Sequence, residues 1–116
     1  MAVSKIPAIS SAQYTVNFNN GFYAEPELVP RGMAIRVGGR GIINLCGVMK
    51  STSSMTSGTE YDFGRLPFTP VSRAKIPCDK GIITISELGT NVYFTPNTNI
   101  VPYDAVQFSV TYSFNI

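Results

Sequence analysis

The sequence predicts an all-β domain, an antiparallel β-sandwich or small barrel of about eight strands. Short runs of β-branched and aromatic residues alternate with clusters of turn-forming residues along the chain. No window of about eleven residues places apolar side chains at helical spacing, and Pro or Gly interrupts every long stretch. The 116 residues are enough for one domain with one core.

The last segment, residues 105–116, carries the clearest strand pattern. Apolar and polar residues alternate in it with a period of two, which is typical of a strand with one face on a core. The apolar positions are Val106, Phe108, Val110, Tyr112, Phe114 and Ile116, and the polar ones are Gln107, Ser109, Thr111, Ser113 and Asn115. The polar face carries only amides and hydroxyls, so it meets either water or a polar neighbour.

Seven further strands are predicted upstream by the same criteria: 14–18, 33–37, 41–50, 59–63, 73–76, 81–88 and 91–95. Turn-forming residues separate them at 19–21, 38–41, 79–81, 88–91 and 96–99. Residues 51–58 are the best candidate for a long hairpin loop. Residues 1–13 are interpreted as an N-terminal arm or linker, and 14–116 as the single β-domain.

The net charge indicates neither of two classes of partner. Nine basic and seven acidic residues give a net charge of +2, too weak a field to indicate nucleic acid or an anionic membrane surface. The longest apolar stretches are too short for a membrane helix, and the N-terminus lacks a signal-peptide pattern, so we expect neither membrane insertion nor Sec secretion. Cys46 and Cys78 could form a disulfide or remain as buried thiols.

The residue inventory argues against catalysis. Histidine is absent, which removes the commonest general base, the commonest metal ligand and every Ser-His or Cys-His nucleophile. The carboxylates of Glu60 and Asp62 share one face of a predicted strand, a pairing that glycoside hydrolysis could use but that is more typical of solvated surface charge. We therefore predict no enzyme activity, no cofactor and no metal site.

A series of motifs carries a family resemblance. In order, the motifs are Asn20-Gly21-Phe22, a strand containing Leu45-Cys46-Gly47, Leu66-Pro67 with a second proline at Pro70, Gly81-Ile82-Ile83-Thr84-Ile85, and Asn91-Val92-Tyr93-Phe94. In this order, residues 20–92 resemble the C-terminal head domain of bacteriophage tail-fibre and baseplate receptor-binding proteins.

The resemblance implies a homotrimer at the tip of a phage appendage that binds bacterial surface saccharide. The protein would then be made in the host cytoplasm and belong to the virion, beside other tail proteins. The uncharged face of the last strand could meet symmetry mates. Residues in or beside the loops at one end of the domain, of types that stack on sugars or bond to hydroxyls, give the predicted saccharide site: Asp62, Arg65, Tyr93, Asn97, Tyr103 and Asp104. The alternative is a structural virion protein, a decoration, collar or baseplate component, that binds only other virion proteins.

Overall fold

The computed structural model describes residues 9–26 and 29–115, and for residues 9–12 it describes the backbone. Within these residues the chain forms ten β-strands and no α-helix. The strands are β1 (Ile9–Tyr14), β2 (Asn17–Phe18), β3 (Phe22–Tyr23), β4 (Arg31–Val37), β5 (Arg40–Ser51), β6 (Tyr61–Arg65), β7 (Ala74–Cys78), β8 (Gly81–Ile85), β9 (Asn91–Pro96) and β10 (Val106–Asn115). None of the described residues belongs to a helix with the length and apolar character to cross a membrane.

The strands form two antiparallel sheets that pack into a sandwich. The first sheet has the order β1-β4-β5-β10, and β3 pairs with the end of β5. The second sheet has the order β2-β6-β9-β8-β7. The all-β fold predicted from the sequence is therefore confirmed, and of the two expected architectures, a sandwich or a small barrel, the structure has the sandwich. It has ten strands where about eight were expected.

The alternation in β10 decides how the first sheet faces the core. Val106, Phe108, Val110, Tyr112 and Phe114 are all buried, while the polar residues between them point outward. β10 pairs with β5 over ten positions, from Val106 opposite Met49 to Asn115 opposite Arg40. β8 and β9 bury their own alternate residues from the opposite side. The core between the sheets contains Phe63, Phe94 and Phe114, each fully buried, and each contributes about 1.5–3 kcal/mol of hydrophobic stabilisation.

The N-terminal part differs from the sequence prediction. Residues 14–18, expected as one strand, divide at Thr15 and Val16, so that β1 lies in the first sheet and β2 in the second. Val16 is buried where the chain crosses between the sheets. Residues 9–13, expected as part of an arm, pair with β4 as part of β1, and residues 1–8 lie outside the described residues. A polar segment such as Ser10-Ser11 has no alternation that would indicate this pairing.

Residues 51–58 do not form the predicted hairpin loop. β5 and β6, which they connect, belong to different sheets, so the segment is a crossing between the two layers. Met55 in the middle of the segment is buried, and its backbone N–H and carbonyl bond to Ile100 at 2.8 and 2.9 Å. The hairpin expectation was wrong because turn-forming residues indicate a change of direction and carry no information about which strands pair.

Candidate functional site

A row of side chains crosses four strands on the outer face of the second sheet. Lys75 of β7 is the register partner of Thr84 of β8, Thr84 is that of Tyr93 of β9, and Tyr93 is that of Asp62 of β6. Directly opposed residues of antiparallel strands have Cβ atoms about 4.5–5.5 Å apart. The row therefore places one aromatic ring between a hydroxyl and a carboxylate on a rigid sheet.

A surface groove of about 500 Å³ lies along this row. Its lining residues are Glu60, Arg73, Lys75, Thr84, Ser86, Leu88, Gly89, Asn91 and Tyr93. They supply an aromatic ring, three hydroxyls, an amide, two cations and one carboxylate. Arg73, Lys75 and Glu60 take no part in the salt bridges formed among the described residues, so their charges are available to a ligand.

Asp62 holds the groove's amide in place. One of its carboxylate oxygens, Oδ2, accepts hydrogen bonds from Asn91 Nδ2 at 3.1 Å and from Arg65 Nη1 at 3.2 Å. The other, Oδ1, accepts the Gly64 N–H at 3.3 Å, across a register shift between Asp62 and Gly64. Asp62 does not line the groove itself. Its carboxylate accepts hydrogen bonds from all three groups and thereby positions the Asn91 amide at the groove.

The other three predicted site residues lie elsewhere. Lys80, in the turn between β7 and β8, donates to Asp104 Oδ2 at 3.1 Å, and its carbonyl accepts the Asn97 N–H at 2.8 Å. Tyr103, the residue before Asp104, is 60% exposed. Asn97 is four residues beyond Tyr93 along the chain, a separation of about 13 Å at strand rise. The predicted six residues thus form two groups: Asp62, Arg65 and Tyr93 on the sheet face, and Asn97, Tyr103 and Asp104 at its end.

Sequence reasoning missed most of the groove. The predicted saccharide site does not include the lining residues Arg73, Lys75, Thr84, Ser86 and Asn91. A partial signal existed, because the buried Ile83 and Ile85 leave Thr84 on the outer face by the period of two. Nothing in the sequence indicated the order of strands in the sheet, which brings Lys75 and Thr84 beside Tyr93.

A second candidate surface covers the outer face of the first sheet, opposite the groove. We call it the β4–β5–β10 face, and it consists of Arg31, Met33, Ile35, Val37, Arg40, Ile42, Asn44, Cys46, Gln107, Ser109, Thr111, Ser113 and Asn115. Met33, Ile35, Val37 and Ile42 are 44–56% exposed. Beside them, Asn44 Nδ2 lies within hydrogen-bond distance of Ser109 Oγ at 3.2 Å and Thr111 Oγ1 at 2.7 Å. The face thus combines an apolar stripe with a stripe of amides and hydroxyls.

The two cysteines remain free thiols. Cys46 is exposed on the β4–β5–β10 face, whereas Cys78 packs against the core from β7. Burial, reinforced by the charge of Asp79, raises the pKa of the Cys78 thiol from 9.0 to about 11. Of the two possibilities left open by the sequence, the structure has the unpaired thiols, but Cys46 is exposed where a buried thiol was expected.

Comparison of the chain with protein-family models, with curated protein sequences and with solved structures gave no significant match.

Proposed function

We propose that this chain is a host-recognition domain of a bacteriophage tail appendage, and that it binds a saccharide of the bacterial surface in the groove around Tyr93. The order of motifs over residues 20–92 supports the phage assignment. The groove supports the ligand class, because its one aromatic ring is surrounded by Thr84, Ser86 and Asn91. In this proposal the protein is part of the virion and acts without a cofactor.

The groove has the chemistry that a sugar requires. The face of a pyranose ring presents C–H groups that pack on an aromatic side chain, and its hydroxyls both donate and accept hydrogen bonds. Tyr93 provides the ring, while Thr84, Ser86 and Asn91 provide neutral donors and acceptors. Arg73, Lys75 and Glu60 add charged partners, whose hydrogen bonds are roughly twice as strong as neutral ones.

Part of the groove is built on paired strands. Lys75, Thr84 and Tyr93 project from paired strands, and the Asp62 carboxylate positions Asn91 by accepting a hydrogen bond from its amide. A site whose side chains are already ordered loses less conformational entropy on binding than a mobile loop does. Sheet-borne residues therefore favour the groove over the group at Asn97, Tyr103 and Asp104.

The test is binding of fluorescently labelled protein to a panel of intact bacterial cells, with free monosaccharides and purified cell-wall polysaccharide as competitors. We expect saturable binding to some cells, competed by saccharide and lost in Tyr93→Ala. Tyr103→Ala, which removes an exposed ring from the other group, is the matched control and should bind normally. Loss of binding in Tyr103→Ala alone would move the site to the end of the sheet, and failure to bind any cell would overturn the proposal.

A structural virion protein is the second candidate, and the β4–β5–β10 face favours it. Exposed apolar patches of this kind mark protein interfaces. A purely structural protein would bind isolated tail or capsid proteins and ignore cells. Pull-down from purified virion components, run beside the cell-binding assay, separates the two functions.

A further inference from the structure

Two cations stand together at one side of the groove around Tyr93. Lys75 lies in β7, and Arg73 comes directly before that strand. Both side chains line the groove, and both residues are exposed. β7 is the edge strand of the second sheet, in the order β2-β6-β9-β8-β7. The two cations therefore occupy one side of the groove, which we call its β7 end.

No carboxylate neutralises the β7 end. Neither Arg73 nor Lys75 belongs to a salt bridge formed among the described residues. The carboxylate that lines the groove is that of Glu60, which precedes β6, and the β6 and β7 backbones are three strand spacings apart, about 14 Å. Glu87, in the turn after β8, forms no salt bridge with either cation. The β7 end therefore keeps two positive charges without a counter-charge.

These cations lie beside the part of the groove that fits a sugar ring. Thr84 is the register partner of Lys75 on one side and of Tyr93 on the other. At the backbone, Lys75 is therefore two strand spacings, about 10 Å, from Tyr93. A ligand that covers both Tyr93 and the β7 end carries any anionic group to one side of the stacked ring, toward β7.

A neutral saccharide would be a poor ligand for the β7 end. A ligand that covers this end displaces water from Arg73 and Lys75, and a charge that loses water without gaining a partner is unfavourable. A carboxylate or phosphate group replaces that water with charge-assisted hydrogen bonds. The guanidinium of Arg73 has a fork of donors that matches the paired oxygens of either group, and the ammonium of Lys75 adds a compact charge. The charge of the groove therefore favours an anionic ligand.

We propose that the β7 end is an anion subsite, in which Arg73 and Lys75 together bind a carboxylate or phosphate group of the saccharide while a neighbouring sugar ring packs on Tyr93. The ligand of the groove is then an acidic polysaccharide. This inference rests on the proposed function, because it specifies the ligand of the same groove. The ligand is a saccharide and not a charge alone, since Thr84, Ser86 and the Tyr93 ring make up the adjoining part of the groove.

The first test compares two double variants that remove the same charge from opposite faces of the sandwich. Arg73→Gln with Lys75→Gln removes the subsite. Arg31→Gln with Arg40→Gln is the matched control, because both arginines are exposed on the β4–β5–β10 face. On cells that bind the wild type, we expect the dissociation constant to rise at least tenfold in the first variant and to stay within twofold in the control. Circular dichroism establishes that both variants are folded. Unchanged binding in the first variant, or equal weakening in both, would overturn the subsite.

The second test changes the ligand and leaves the protein unaltered. Polysaccharide purified from a bound strain competes with cells for the wild-type protein in three forms: untreated, with its carboxyl groups reduced to alcohols, and with its phosphodiesters cleaved by hydrofluoric acid. An untreated fragment of matched length controls for shortening of the chain. We expect one of the two treatments to weaken competition at least tenfold, which identifies the charged group as a carboxylate or a phosphate.

The outcomes separate this inference from the proposed function. Competition that survives both treatments would overturn the anion subsite and leave saccharide binding in place. Failure of the wild-type protein to bind any cell would overturn the proposed function and this inference with it. Double-stranded DNA that competes as strongly as the untreated polysaccharide would also overturn the inference, because the groove would then recognise negative charge without the sugar.

Discussion

Phe68 stacks flat on Phe114, with ring centroids 3.9 Å apart and ring planes inclined by only 3°. Phe68 belongs to the connection between β6 and β7, and Phe114 to β10, so the stack joins the two sheets at one end of the sandwich. Arg36 lies over Phe68 at 5.0 Å and donates from Nη2 to the Tyr14 hydroxyl at 2.9 Å. An aromatic and cationic cluster thus closes this end of the core.

Phe68→Ala should therefore destabilise the fold by about 2 kcal/mol, less than the 3–5 kcal/mol of a fully buried phenylalanine because the ring is only partly buried. Urea unfolding followed by circular dichroism measures the change. Val71→Ala, in the same connection but with an exposed side chain, serves as the control and should cost less than about 0.5 kcal/mol. An equal loss of unfolding free energy in both variants would mean that the ring stack adds no stability of its own.

We expect substitution by alanine to have opposite effects on stability at Gly41 and at Gly39. A Cβ at Gly41 would overlap the buried Phe114 ring, whereas a Cβ at Gly39 meets no atom within 4 Å. We expect Gly41→Ala to cost about 1–3 kcal/mol through overpacking and Gly39→Ala to be nearly neutral. Thermal unfolding of the two variants side by side checks this, and a Gly41→Ala protein as stable as wild type would contradict the packing described.

Stability should fall at alkaline pH because two buried groups resist ionisation. Burial raises the pKa of the Tyr112 hydroxyl from 10.0 to about 12, and that of Cys78 from 9.0 to about 11. Above pH 9 the unfolded chain loses these protons first, so the folded state binds more protons and its free energy of unfolding decreases as pH rises. Below pH 9 neither group contributes to the pH dependence.

Urea unfolding at a series of pH values tests this expectation. In wild type the free energy of unfolding should begin to decline near pH 9. In Tyr112→Phe the decline between pH 10 and 12 should be smaller, because the Tyr112 hydroxyl no longer contributes to it. Tyr112→Phe also removes the hydrogen bond that the hydroxyl donates to the Phe68 carbonyl at 2.9 Å, so at neutral pH it should cost about 1 kcal/mol. An unchanged alkaline decline in Tyr112→Phe would contradict the assignment.

Asp62 should affect ligand binding through Asn91. In Asp62→Ala the Asn91 amide loses its acceptor, and we expect cell binding to weaken several-fold while the exposed Arg65 pair contributes no more than about 1 kcal/mol to stability. Asp104→Ala breaks a comparable ion pair with Lys80 at the other end of the sheet and should leave binding unchanged. If Asp104→Ala weakened binding more than Asp62→Ala, the groove would not be the site.

Local pattern was enough to predict the fold class and most strands. In β10 the alternation from Val106 to Phe114 determines which side chains are buried, because successive residues of a strand point to opposite faces. β4, β5, β8 and β9 were predicted within a few residues of their ends for the same reason. The uncharged outer face of β10 was also evident from the sequence, as was the lack of histidine for catalysis.

Only the tertiary structure decided which strands are neighbours. A period of two assigns each side chain to a face but does not identify its cross-strand partner. Lys75, Thr84, Tyr93 and Asp62 come from four strands and form one row only through the order β6-β9-β8-β7. Asp104 precedes β10 and contacts Lys80 in the turn between β7 and β8, away from Asp62, so the predicted site is divided. The composition and alternation of the chain therefore determine that it is an all-β domain. Strand pairing, which depends on contacts between residues far apart in sequence, determines that the strands form a two-sheet sandwich and where its groove and its apolar face lie.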